Sequence, residues 1–80
     1  MRGRSLSAIV LARRKLLGLS QREVARGAGI SDVWISKIER GLAANVRLPT
    51  IMAIFAALDI RTHDPRAIFV AEQKKRGRQS

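Results

Sequence analysis

Residues 21–40, QREVARGAGISDVWISKIER, constrain this chain more than any other stretch. They read as two short helices joined by a tight turn. Ser20 can cap the first helix, and Glu23, three residues on, completes a capping box. Leu19, just before the cap, and Val24 have the spacing of a hydrophobic staple. Val24, Ala25 and Ala28 then give a narrow apolar stripe. Gly29 takes positive φ at low cost, so the chain can turn sharply there. Ile30 plugs inward, Ser31 caps the second helix, and Ile30 with Ile35 repeats the staple. Ile35 and Ile38, three apart, share the inner face. Asp32, Val33, Trp34, Ser36, Lys37 and Arg40 are left on the other side.

A small Ala25 lets the two helices cross closely, and Gly29 sets their angle. The second helix is then held by one face while the other stays free. This is the layout of a helix-turn-helix, whose second helix enters the DNA major groove. Leu19-Ser20-Gln21, Glu23, Ala25, Gly29, Ile30-Ser31, Ile35-Ser36, Ile38-Glu39 and Gly41 resemble the phage repressor/Cro, or Xre-like, family of helix-turn-helix domains. The likeness extends more loosely from Val10 to Ile60. It implies a compact all-α bundle of about five short helices, of the lambda repressor-like kind. It also implies a sequence-specific regulator of transcription that binds double-stranded DNA, with residues 32–40 as the recognition helix.

Composition supports the same direction. The net charge is +10, and 12 of the 16 basic residues are arginine. A solubilising surface needs a smaller imbalance, so the excess points to a polyanionic partner. Arginine forks also match phosphate and guanine edges better than lysine does. An anionic membrane surface would need a long amphipathic basic helix, which is missing. No apolar run approaches the ~20 residues that span a bilayer. Arg13-Arg14-Lys15 interrupts the one candidate for a secretory signal, so the expected location is the cytoplasm of a bacterial or phage-infected cell, on the nucleoid. There is no cysteine, which removes disulfides and thiolate metal sites. Eighty residues make one small, marginally stable domain, for which oligomerisation is a natural support.

Residues 1–5 read as a flexible basic arm, able to reach phosphates or a minor groove, or as a terminus without a role. The domain proper is expected over 6–73, and residues 74–80 as a disordered basic tail. Ser5 or Ser7 can cap a first helix running to about Leu17, with Leu6, Ile9, Val10, Leu16 and Leu17 on its apolar face and Gly18 ending it. Arg13, Arg14 and Lys15 form a charge run, ordinarily a solvated face. The family resemblance singles out Arg14, because an arginine at this place pairs with the glutamate near the end of the recognition helix. Here that glutamate is Glu39, which makes it structural rather than DNA-facing.

Asn45 suits a turn in the loop from Leu42 to Val46. Pro49 fits the first turn of a following helix, with Leu48, Ile51, Ile54, Phe55 and Leu58 as core. Family members usually end this helix in Leu-Gly-Val; Leu58-Asp59-Ile60 puts Asp at the glycine, and Asp tolerates the left-handed cap better than most residues. Asp64 can cap a last helix with Pro65 at its first position. Ile68, Phe69 and Val70 are consecutive, so one of them cannot face the domain's own core. They are the expected contact of a homodimer, against the alternative of one ordinary exposed apolar residue.

Phosphate contacts position a protein on DNA, and base contacts specify the sequence. By the resemblance, Gln21 anchors a phosphate and braces the recognition helix. Arg40, Arg47 and Arg22 are further phosphate candidates. The resemblance places base contacts at Asp32, Val33 and Lys37. Lys37 can donate to guanine, and Val33 can pack on a thymine methyl. Asp32 can accept from cytosine N4, or simply face the positive end of the helix dipole. The dipole reading is favoured, because a carboxylate near phosphates is costly. Trp34 either lies on a sugar-phosphate edge or thymine methyl, or packs back against the following loop. Ser36 can bond a phosphate.

An enzyme is hard to support. The one histidine, His63, lies in a connector, and there is no phosphate-binding glycine loop and no metal-ligand spacing. No cofactor, metal or small-molecule ligand is expected. The rival is a protein-interaction module on the same fold, of the antitoxin or adaptor kind, which would bind DNA only weakly and without a preferred site.

Overall fold

The computed structural model describes residues 5–78, with side chains through Lys74. Five helices follow one another: α1 (Leu6–Leu17), α2 (Gln21–Ala28), α3 (Asp32–Glu39), α4 (Leu48–Ala57) and α5 (Pro65–Arg78). No strand occurs among the described residues. The expected all-α bundle is therefore the observed architecture.

The punctuation follows the sequence. Ser5 Oγ accepts from the Ala8 N–H and starts α1, so the domain begins one residue earlier than the boundary at 6; the rest of the expected arm, residues 1–4, lies outside the described residues. Gly18, at φ 70°, ends α1. At α2 the capping box is complete: Ser20 Oγ accepts from the Glu23 N–H at 3.0 Å, and Glu23 Oε1 accepts from the Ser20 N–H at 2.7 Å. The Ser20 N–H, chiefly, and the Ser20 hydroxyl hold the Glu23 carboxyl below its ordinary range. Gly29 makes the turn at φ 74°, and Ser31 caps α3 by accepting from the Trp34 N–H. Among the described residues, Asn45 and Asp59 are the non-glycine residues at positive φ, 57° and 52°, so Asp59 does stand in for a glycine after α4.

The core draws on every helix: Leu6, Ile9 and Val10 of α1, Val24 and Ala25 of α2, Ile35 and Ile38 of α3, Ile51, Ile54 and Phe55 of α4, and Ile68 of α5, with Val46 and Leu58 from the flanking segments. Leu48 is only half-buried. α2 packs on both α3 and α4, α1 on α3, and α5 on α4. Gly27 serves the α2–α4 crossing, since a Cβ there would come within 3.3 Å of Ala57 Cβ. Two small residues, Ala25 and Gly27, thus bring α2 close to its neighbours.

Two expectations need correction. Leu16 and Leu17 are exposed, not core. The inward stripe of α1 runs from Ile9 and Val10 to the positions four residues on, which are Arg13 and Arg14. Both arginines are drawn in by hydrogen bonds. Arg13 donates to the Leu58 and Asp59 carbonyls at 2.8 and 3.2 Å, capping the C-terminus of α4 where a cation is favoured. The second correction is the tail: α5 does not stop at residue 73 but continues to Arg78, because lysine and arginine are good helix formers and nothing before Gly77 interrupts it. Of the consecutive Ile68, Phe69 and Val70, one is kept from the core, as their spacing requires. Ile68 is buried, Phe69 packs on the core, and Val70 alone is exposed. Farther along α5, Glu72 Oε2 accepts from the Leu6 N–H at 3.1 Å, tying α5 to the start of α1.

Candidate nucleic-acid interface

α3 is built from a short sequence with two unlike faces. Ile35 and Ile38 are buried, and Trp34 is half-buried against the core. Trp34 thus packs on the core, whereas the sequence places it either on DNA or against the following loop. Val33 is 60% exposed. Lys37 and Arg40 are exposed, and Asp32 and Ser36 are half-buried. Val33 and Lys37, four apart, lie on one outward strip, with Ser36 and Arg40 on the adjacent one. Arg40 Nε donates to the Ser36 carbonyl at 3.3 Å, which lays its side chain along the end of the helix.

The inner end of α3 is clasped. Glu39 Oε2 accepts from Arg14 Nε at 2.6 Å, and Oε1 accepts from Arg14 Nη2 at 2.9 Å and Gln21 Nε2 at 3.0 Å. Arg14 Nη1 donates to the Leu19 carbonyl at 2.9 Å. The carboxylate is 4% exposed and the guanidinium side chain 15%. Burial pushes the Glu39 carboxyl up. The bonds from Arg14 and Gln21, with the charges of Arg14 and Lys15, outweigh it and hold the group below its ordinary range. The bond to Glu39 likewise raises Arg14. One fork joins α1, the α1–α2 turn, the head of α2 and the tail of α3.

Gln21 is accordingly a brace for α3. Arg22, the next residue, is exposed and lies beside the opposite end of α3, with Nε 3.8 Å from Asp32 Oδ2. Arg22, Arg26, Ile30 and Asp32 line a shallow cleft at the turn. Arg26 was missed in the sequence, although it stands four residues after Arg22 and so on the same face of α2. Arg47 is the exposed N-cap residue of α4 and makes no side-chain capping bond.

The exposed cations of α2, α3 and the head of α4 thus surround a helix whose single buried acid is neutralised from inside. A protein-family model described as helix-turn-helix matches residues 10–64, well over half of the chain. This chain belongs to the Xre-like helix-turn-helix family. As a member of that family it is a DNA-binding regulator, a class that is generally not enzymatic. No curated protein and no solved structure matches the chain. Among the described residues, no group of acids and histidine could hold a metal, and no helix is long and apolar enough to cross a membrane.

Proposed function

We propose that the chain is a sequence-specific regulator of the phage repressor/Cro kind, with α3 entering the major groove by its outward face. The observation that carries this reading is the division of α3. Its inner face is fixed by Ile35, Ile38 and the Arg14–Glu39–Gln21 clasp, while Val33, Ser36, Lys37 and Arg40 stay accessible. Such a helix meets DNA with its geometry already set, so little ordering is needed on binding.

Lys37 donates to guanine O6 and N7, and Val33 packs on a thymine methyl. Asp32 leads the helix into the groove. Arg22, Arg40 and Arg47 contact phosphates around it, Ser36 adds a neutral phosphate bond, and the Gln21 backbone at the head of α2 offers a further anion site. Trp34 supports the helix from behind. Two copies occupy a two-fold-related site, and the exposed strip of α5 formed by Ala67, Val70 and Ala71 is the surface for that pairing.

Selection of bound sequences from a random duplex library, at near-physiological salt, tests the reading. Two inverted copies of a short motif about one helical turn apart are expected. A lone half-site would remove the dimer. No enrichment would transfer the weight to the protein-interaction module, with the charge acting only in non-specific binding.

A further inference from the structure

We propose that Arg22 and Asp32 work as one unit that reads a cytosine at the edge of the half-site, with Asp32 accepting from its exocyclic amine and Arg22 allowing the carboxylate to approach. This deepens the DNA-binding reading above and rests on it. The cost that speaks against Asp32 as a base reader is its charge beside phosphates. In the fold that charge has a counter-ion from another helix: Arg22 Nε is 3.8 Å from Asp32 Oδ2.

The pair has little to do for the fold. Its side chains are 76% and 45% exposed, and a single contact of that length between solvated groups contributes almost nothing to stability. Ser31, not Asp32, provides the capping bond of α3. What the pair does is set a cation beside the carboxylate at the head of the recognition helix. Displacing water from the groove strengthens the attraction between the two charges, so the compensation grows as Asp32 docks. The chemistry then selects the base. An ionised carboxylate only accepts. Cytosine offers a major-groove donor with no acceptor on the same base edge, whereas adenine sets its N7 acceptor beside N6 and guanine offers acceptors alone.

The test repeats the library selection with the whole chain and with Asp32→Ala, Arg22→Ala and Arg22→Lys. The native chain should enrich a cytosine at one position of the motif. Asp32→Ala should reduce selectivity there by roughly tenfold and leave the other positions as they were. Arg22→Ala should lose selectivity at that same position, and Arg22→Lys should restore part of it. Thermal melting should be nearly the same for all four proteins, with only the small shift expected of a solvated pair. Three results would overturn the proposal: a motif without a cytosine preference, an Asp32→Ala profile identical to the native one, or an Arg22→Ala protein that is weaker on every sequence yet still prefers cytosine. A native chain that enriches no motif is a different result, since it removes the DNA-reading function on which the proposal stands.

Discussion

α3 carries an ion pair at each end, and the two could hardly differ more. At the tail, Glu39 receives a two-pronged fork from Arg14, with a shortest contact of 2.6 Å, and is almost fully buried. At the head, Asp32 meets Arg22 by a single 3.8 Å approach in solvent. The first pair is costly to break, because either partner alone is a buried charge. The second is nearly free to break, because water replaces each partner. Between its two ends, α3 passes from a fixed part of the fold to an open surface. The tail pair fixes the pose of α3, and the head pair leaves its side chains available to a ligand.

Breaking the tail pair should have the largest effect. Glu39→Gln leaves Arg14 without its counter-charge and should cost about 3 kcal/mol of stability, read as a large fall in Tm. An unchanged Tm would mean that the fork is incidental. Acid should do the same work without a mutation. The folded-state pKa of Glu39 lies below the ordinary carboxylate value, so its contribution is fully present above that value and is lost as pH falls through the folded pKa. The native chain should therefore lose Tm below about pH 4.5, and Glu39→Gln should lose less over the same range. Equal slopes for the two proteins would count against the assignment.

The outward face should respond in DNA binding instead. Lys37→Ala should weaken the enriched site by ~1–3 kcal/mol while leaving random DNA almost unaffected. Arg40→Ala should weaken both alike and lower the salt slope by about one unit. If the two variants behaved identically, the division between base and phosphate contacts would be lost. The smallest effect on stability belongs to the head pair: Asp32→Ala should shift unfolding by less than ~0.5 kcal/mol.

Much of this arrangement is legible in the sequence, because it rests on local rules. The capping box at Ser20 and Glu23, the turn at Gly29, the cap at Ser31 and the inward Ile35 and Ile38 each follow from residues a few positions apart. The Arg14–Glu39 pair is legible only through the family, since no spacing rule links residues 25 apart. What escapes is of the same long-range kind. Arg13 capping α4 across 45 residues, Glu72 capping α1 across 66 and Gly27 against Ala57 have no local signature. The charge run at residues 13–15 misleads for a related reason. Helical period places Arg13 and Arg14 inward, but only the folded partners show that carbonyls and a carboxylate wait there to receive them. On the candidate interface, Val33, Ser36, Lys37 and Arg40 are readable as outward from period, but Trp34, which the same period leaves outside, packs on the core. The roles of Gln21 as a brace and of Arg22 as the neighbour of Asp32 depend on how α2 lies on α3.

On the proposed function, the outward face of α3, held on a fixed helix, reads DNA sequence. The most direct measurement is the ratio of Kd for random duplex to Kd for the enriched site, taken for the native chain and for Lys37→Ala in the same buffer. The ratio should fall by roughly 5- to 100-fold in the variant, with Kd for random duplex and Tm nearly unchanged. A ratio that stays the same, or falls only together with Tm, would contradict the proposed function.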